Sequence, residues 1–175
     1  MTVLVVAEHD NQEIKGATLN TVTAAIALGA GDVEILVAGE NCQTAADGAA
    51  AISGVGKIRM VDNALYANAL AEPFAALVVS LAGDYSHIVL SHTTHGKNVA
   101  PRVAALLDIV QVSDIMEVKS PDTFVRPIYA GNAMATVQAS DEKLVITVRG
   151  TAFDKAELSG SAPIEATNAS DDPGL

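Results

Sequence analysis

Residues 86–107, SHIVLSHTTHGKNVAPRVAALL, carry the pattern that decides the fold. The continuously apolar Ile88-Val89-Leu90 predicts a buried parallel strand over 86–91, because a strand covered on both faces has no polar alternation. Residues 98–107 repeat apolar side chains at helical spacing, and Pro101 is tolerated near the start of a helix. A strand joined to a helix by a short connection predicts one unit of a parallel sheet.

The same alternation of strand-like and helix-like segments extends toward the N-terminus. Short apolar or β-branched runs predict strands, and apolar residues at helical spacing predict helices. The predicted strands are 2–7, 32–38 and 57–61, and the predicted helices are 18–28, 42–52 and 72–82. We therefore expect an α/β fold: a doubly wound, mostly parallel sheet with helices on both faces, similar to that of adenine-nucleotide alpha-hydrolases.

The pattern changes after Leu107. Four strand-like stretches follow with no helical segment between them, and turn-forming residues separate them. These stretches are 112–118, 123–129, 133–138 and 144–148. We expect them to be antiparallel hairpin strands joined to the parallel sheet or packed beside it. The sequence predicts one domain over 1–155, and over 156–175 a flexible linker too polar for a core, the start of a tether to an absent domain.

Composition and charge exclude several classes of function. The chain has 175 residues, of which half are apolar and only 3% aromatic, and its formal net charge is −11. A surface this acidic repels phosphate backbones and anionic lipid surfaces, so we do not expect nucleic-acid binding. No apolar run approaches the roughly 20 residues of a transmembrane helix, so we do not expect membrane insertion. The single Cys42 excludes an intramolecular disulfide and a zinc site built on clustered cysteines, and it predicts a reducing compartment.

The segment His92-Thr-Thr-His-Gly-Lys-Asn98 is a candidate for ligand binding. It follows a predicted strand and opens a helix, at the edge where open α/β sheets bind ligands, and Lys97 would favour an anion. A stand-alone nucleotide-binding domain of the stress-protein type, using residues 94–98 for phosphates, is therefore an alternative function. The segment has one glycine where phosphate-binding motifs need two or three, and helix capping by Thr94 or Asn98 explains it as well.

Residue types that usually carry catalysis are present but scattered. His92 and His95 have no third metal ligand beside them, no serine lies in a nucleophile elbow, and Cys42 is typical of a buried thiol. We therefore assign no catalytic, cofactor-binding or metal-binding residue and do not expect an enzyme. A hydrolase of the same fold is a remote alternative.

The stretch 120–133, SPDTFVRPIYAGNA, concentrates aromatic side chains in a chain that has few. Arg126-Pro127 inside a strand pattern predicts a sheet edge or a bulge, because proline cannot donate to a ladder. Aromatic and arginine side chains are common anchors of partner surfaces. The alternative is a hairpin whose aromatic residues only close the end of the core. The candidate subunit-interface residues are Phe124, Arg126, Pro127, Tyr129 and Asn132.

Five groups of residues match a known family in the same order along the chain. They are Leu19-Asn-Thr-Val22, Gly96-Lys-Asn98 with Pro101-Arg-Val-Ala-Ala105, Ser113-Asp-Ile115, Thr123-Phe-Val-Arg-Pro-Ile-Tyr-Ala-Gly-Asn-Ala133 and Val148-Arg-Gly-Thr-Ala-Phe-Asp154. From about residue 2 to about residue 155 the sequence strongly resembles the alpha subunit of electron transfer flavoprotein. Because several segments match together, the resemblance is far more specific than any single loop.

The resemblance implies a heterodimer with a beta subunit. Such a carrier takes electrons from acyl-CoA and related dehydrogenases through FAD and passes them to a membrane-bound quinone reductase. In that family a C-terminal domain of the alpha subunit holds the FAD, and its glycine- and arginine-containing turn does not occur in this chain. The family's AMP belongs to the beta subunit. We therefore expect no flavin on this chain alone, pairing with the beta subunit, and a location in the bacterial cytoplasm or the mitochondrial matrix.

Overall fold

The computed structural model describes residues 2–174 and contains two β-sheets. The strands are β1 (Thr2–Val6), β2 (Asp32–Gly39), β3 (Val55–Asp62), β4 (His87–Ser91), β5 (Gln111–Ile115), β6 (Glu117–Ser120), β7 (Thr123–Ile128), β8 (Ala133–Gln138), β9 (Leu144–Val148) and β10 (Ile164–Ala166). Seven of them form a parallel sheet in the order β10-β3-β2-β1-β4-β9-β5. The remaining three form a separate antiparallel sheet in the order β6-β7-β8, called here the hairpin sheet. The predicted α/β fold is confirmed.

Helices cover both faces of the parallel sheet. They are α1 (Gly16–Ala27), α2 (Gln43–Ala50), α3 (Ala71–Leu81) and α4 (Thr94–Leu107). One apolar cluster joins the sheet to α1, α2 and the hairpin sheet, and a second cluster joins it to α3 and α4. Within residues 2–174, no helix is both long and apolar enough to cross a membrane.

Strand β1 shows why the sequence folds in this way. Val3 and Val5 belong to the first cluster, whereas Leu4 and Val6 belong to the second, so alternate side chains enter the two cores. All four are at most 2% exposed. A strand between two layers of helices must be apolar on both faces, which explains its unbroken apolar run.

Two of the four strands expected to be antiparallel are parallel, so that part of the prediction is wrong. β9 lies between β4 and β5 in the parallel sheet, and β5 is the outermost strand on that side. All five residues of β9 are buried, and a run with no polar alternation is typical of a central parallel strand. The predicted strand 112–118 divides at Met116, because the chain leaves the parallel sheet there and enters the hairpin sheet.

The expectation that the stretch after Ala156 stays out of the folded body is also wrong. β10 pairs in parallel with β3, and the Gly160 and Ala162 amides donate to the carbonyls of Ala51 and Ala50. Backbone hydrogen bonds to an open strand edge do not require large apolar side chains, so a Ser/Ala-rich segment can add to a sheet. The domain boundary at 155 and the tether to a further domain stay predictions.

Candidate functional site

The candidate interface residues occupy two different environments in the hairpin sheet. Phe124, in β7, is fully buried in the first apolar cluster, where Val118 and Val137 also pack. Phe124 therefore attaches the hairpin sheet to the parallel sheet. This agrees with the alternative from the sequence, in which the aromatic residues of the hairpin close the end of the core. Tyr129 lies beyond the end of β7 and is 79% exposed, which leaves its ring available to a partner.

The turn after β7 carries Tyr129, the most exposed large apolar side chain among the described residues. Tyr129, Ala130 and Gly131 all have positive φ, at 49°, 55° and 92°. Three successive left-handed residues form a tight turn, and Asn132 follows it at the surface. Met134, which the sequence analysis did not single out, is 52% exposed at the start of β8. Alternation along β8 was the available signal, since Met134 shares the outer face with Thr136 and Gln138.

Arg126 and Pro127 lie inward of this turn. The Arg126 Nη2 group donates to Ser113 Oγ at 2.9 Å, and Pro127 is buried. β7 is the central strand of the hairpin sheet, but β6 pairs only with residues 123–125. Among the described residues, Pro127 therefore has β8 as its only strand neighbour. The predicted edge position is correct locally, although no bulge interrupts the β7–β8 register. Whether these residues contact a partner stays a prediction.

A polar cluster lies where β4, β5 and β9 end. The Asp114 carboxylate accepts bonds from Nε and Nη2 of Arg149, and His92 Nε2 lies 3.7 Å from Asp114 Oδ1. Burial would raise the pKa of Asp114, but the Arg149 bonds and nearby positive charges hold it below its usual value. Burial lowers the pKa of His92, whose Nδ1 is 2.9 Å from the buried Thr147 hydroxyl. Each group has a partner within the fold, which indicates a structural cluster rather than a catalytic one.

A cleft of about 320 Å³ opens at the carboxyl ends of β1 and β2, next to the start of α4. The sheet order reverses between β1 and β4, and this is where open α/β sheets usually bind ligands. Lys15, Asp10, Tyr66 and the two histidines His9 and His95 line it. Burial lowers the pKa of both histidines, which favours their neutral form.

The segment 92–98 is largely helical, because α4 begins at Thr94 rather than at the predicted Asn98. Thr93, and not Thr94 or Asn98, caps the helix by accepting from the Gly96 amide at 3.2 Å. The Thr93 hydroxyl also donates to the Glu8 carboxylate. A Cβ on Gly96 would lie 1.9 Å from the Ser91 carbonyl oxygen, so this glycine allows the helix to approach β4. Its role is packing, and the neighbouring carboxylate opposes a phosphate.

The residues of this cleft do not fit a dinucleotide such as FAD. The connection between β1 and α1, residues 7–15, includes Glu8-His9-Asp10-Asn11 and contains no glycine. A pyrophosphate site on such a sheet uses a glycine-rich turn and a free helix N-terminus. Here the carboxylates of Glu8 and Asp10 lie where a pyrophosphate would need hydrogen-bond donors. Within residues 2–174 no group of three metal-ligating side chains comes together, and burial raises the pKa of the Cys42 thiol, which opposes a thiolate nucleophile.

Comparison with known proteins gives a consistent result. Residues 3–172 match a family model described as the electron transfer flavoprotein domain. The chain is 54% identical over 175 residues to the electron transfer flavoprotein subunit alpha of Pseudomonas aeruginosa, covering 99% of this chain and 56% of that protein. It is 58% identical to that of Bradyrhizobium diazoefficiens, covering 100% and 55%. The mitochondrial subunit alpha of Dictyostelium discoideum is 46% identical, covering 95% and 49%. The chain thus spans about half the length of these relatives.

Proposed function

The chain belongs to the electron transfer flavoprotein family, and from this membership we propose that it acts as the N-terminal domain of an alpha subunit. The observation that supports the proposal is identity at more than half of the 175 aligned positions, spread over nearly the whole chain, with alpha subunits. The domain pairs with a beta subunit and supports the part of the protein that holds the flavin. In the intact carrier, electrons pass from acyl-CoA and other dehydrogenases to a quinone reductase.

The hairpin sheet is the surface on which we place the beta subunit. Tyr129 and Met134 expose large side chains next to the polar Asn132, and a central aromatic with a polar neighbour is typical of an interface. Among residues 2–174, β8 pairs only with β7, so its outer edge can accept further hydrogen bonds. Phe124 supports this surface from below by attaching it to the core.

We place the FAD of the intact carrier outside this chain. The cleft at β1 and β2 carries Glu8 and Asp10 where a pyrophosphate would need donors. Bound FAD supplies the redox centre, and the residues of this chain supply a rigid base for it. The carrier works in the bacterial cytoplasm or, in a eukaryote, in the mitochondrial matrix, since eukaryotic relatives are named mitochondrial.

The test measures complex formation and flavin content. The chain mixed with the beta subunit of a related carrier is expected to form a 1:1 complex by analytical ultracentrifugation. Tyr129→Ala is expected to weaken that complex about tenfold, as for a central tyrosine anchor. Leu106→Ala is the matched control, because Leu106 is also large and 64% exposed but lies on α4. Stoichiometric FAD on the purified chain alone would contradict the division of labour, and so would equal effects of the two variants.

A further inference from the structure

The joint between the two sheets has an unusual backbone conformation. β5 ends at Ile115 and β6 begins at Glu117, so a single residue separates the strands of different sheets. Asp114, just before this joint, has φ +62°, in the left-handed region that residues with a side chain rarely adopt. The β5–β9 register shifts over the same residues. A conformation of this kind persists only where its surroundings hold it.

From the side of the parallel sheet, three hydrogen-bonding groups hold the joint. The Asp114 amide donates to Thr147 Oγ1 at 2.9 Å, and its carboxylate accepts a two-pronged interaction from Arg149. The Arg149 amide also donates to the Ile115 carbonyl at 3.0 Å. Thr147 is fully buried, so the bond from the Asp114 amide to its hydroxyl is shielded from water. The position of β5 relative to β9 is therefore tightly determined at its last residues.

From the side of the hairpin sheet, one side chain reaches the same point. Arg126, on β7, donates from Nη2 to the hydroxyl of Ser113, the residue that precedes Asp114. Its Nε is buried and has no hydrogen-bond partner among residues 2–174. A buried guanidinium donor without a partner costs free energy. The bond from the same guanidinium to Ser113 must therefore offset that cost. A side chain directed into the joint is also poorly placed to contact a partner at the exposed turn.

We infer that Arg126 and Ser113, with Asp114 and Arg149, form a brace that sets the orientation of the hairpin sheet on the parallel sheet. Arg126 is then a positioning residue. It affects partner binding through the orientation of the hairpin sheet and not through contact. Only this effect on binding rests on the proposed function, whereas the brace itself is a property of the chain.

Native-state hydrogen exchange tests the brace without any partner. Ser113→Ala and Arg126→Ala are each expected to speed exchange of the β7 and β8 amides about tenfold, because each removes a hydrogen bond to a charged group. The β1 and β4 amides should be unchanged. Asp114→Gly, which tolerates the positive φ, removes the side chain that binds Arg149 and should act in the same direction. Unchanged hairpin amides, or equal changes in both sheets, would overturn the brace.

The matched control is Gln138→Ala, which removes an exposed bond from Gln138 Nε2 to Asp122 at the opposite end of the hairpin sheet. Because this bond is far from the joint and open to water, hairpin exchange should remain within about twofold of the native chain. An effect as large as that of Ser113→Ala would show that any lost hairpin bond has this consequence, and would overturn a specific role for the joint.

A double-mutant cycle on binding to the beta subunit separates positioning from contact. Arg126→Ala should weaken binding about tenfold in the native chain but by less than about twofold in the Ser113→Ala background, because the two residues act as one unit. A tenfold loss in both backgrounds would mean that Arg126 contacts the partner and would overturn the inference. If the native chain does not bind the beta subunit, the proposed function fails, while the exchange result still decides the brace.

Discussion

Replacing Phe124 distinguishes a core aromatic from an interface aromatic. The ring is fully buried and packs in the cluster that contains Val118 and Val137. Phe124→Ala therefore removes a whole buried ring and leaves a cavity, and buried Phe→Ala changes cost about 3–5 kcal/mol of unfolding free energy. For a chain of this length, 1 kcal/mol shifts Tm by about 2–4 °C, so we expect a fall of about 6–20 °C.

The assay is urea denaturation followed by circular dichroism, with Tm from a thermal scan. Tyr129→Ala is the matched control: the ring is of similar size and lies five residues along the same hairpin, but it is 79% exposed. Its unfolding free energy should change by less than about 0.5 kcal/mol. The reasoning is refuted if Phe124→Ala unfolds at the native urea concentration, or if the two variants lose equal stability.

Three further predictions concern packing, charge and ligand binding. Gly96→Ala should lower the free energy of unfolding by about 1–3 kcal/mol, measured by urea denaturation, because a Cβ would lie 1.9 Å from the Ser91 carbonyl oxygen. The control is Gly83→Ala, which has open space around the added Cβ and should leave the free energy of unfolding nearly unchanged. The Asp122 carboxylate accepts bonds from Ser120, Gln138 and Thr123, which lower its pKa to about 2. The pKa of Asp122 is lower in the folded chain than in the unfolded chain, so the carboxylate contributes its full stability above the unfolded pKa and loses it as the pH falls toward 2. A carbon NMR titration of Asp122 with a midpoint near the ordinary aspartate value would contradict this. Calorimetry with ATP or AMP should show no heat at the cleft beside Glu8, and saturable 1:1 binding would instead support the stand-alone nucleotide-binding domain.

The candidate interface shows how far residue types alone can lead. Aromatic scarcity directed attention to residues 120–133, whose contact with a partner stays a prediction, and the matching segments correctly indicated the family. Composition could not separate Phe124 from Tyr129, because a buried and an exposed aromatic in one hairpin differ only in which face of the strand or turn they occupy. Met134 was missed for the same reason, since its exposure depends on the register of β8 against β7.

The local sequence pattern was sufficient to predict the parallel α/β architecture. A strand buried on both faces and a helix buried on one face differ in the spacing of their apolar residues, and this spacing can be read from neighbouring residues. Where β9 inserts, how the chain turns at Asp114 and where the stretch around Ile164 pairs were decided only in the folded molecule. These features depend on hydrogen bonds between residues distant in sequence. A free strand edge can form backbone hydrogen bonds with almost any segment, so the side chains of a segment do not predict whether it pairs there.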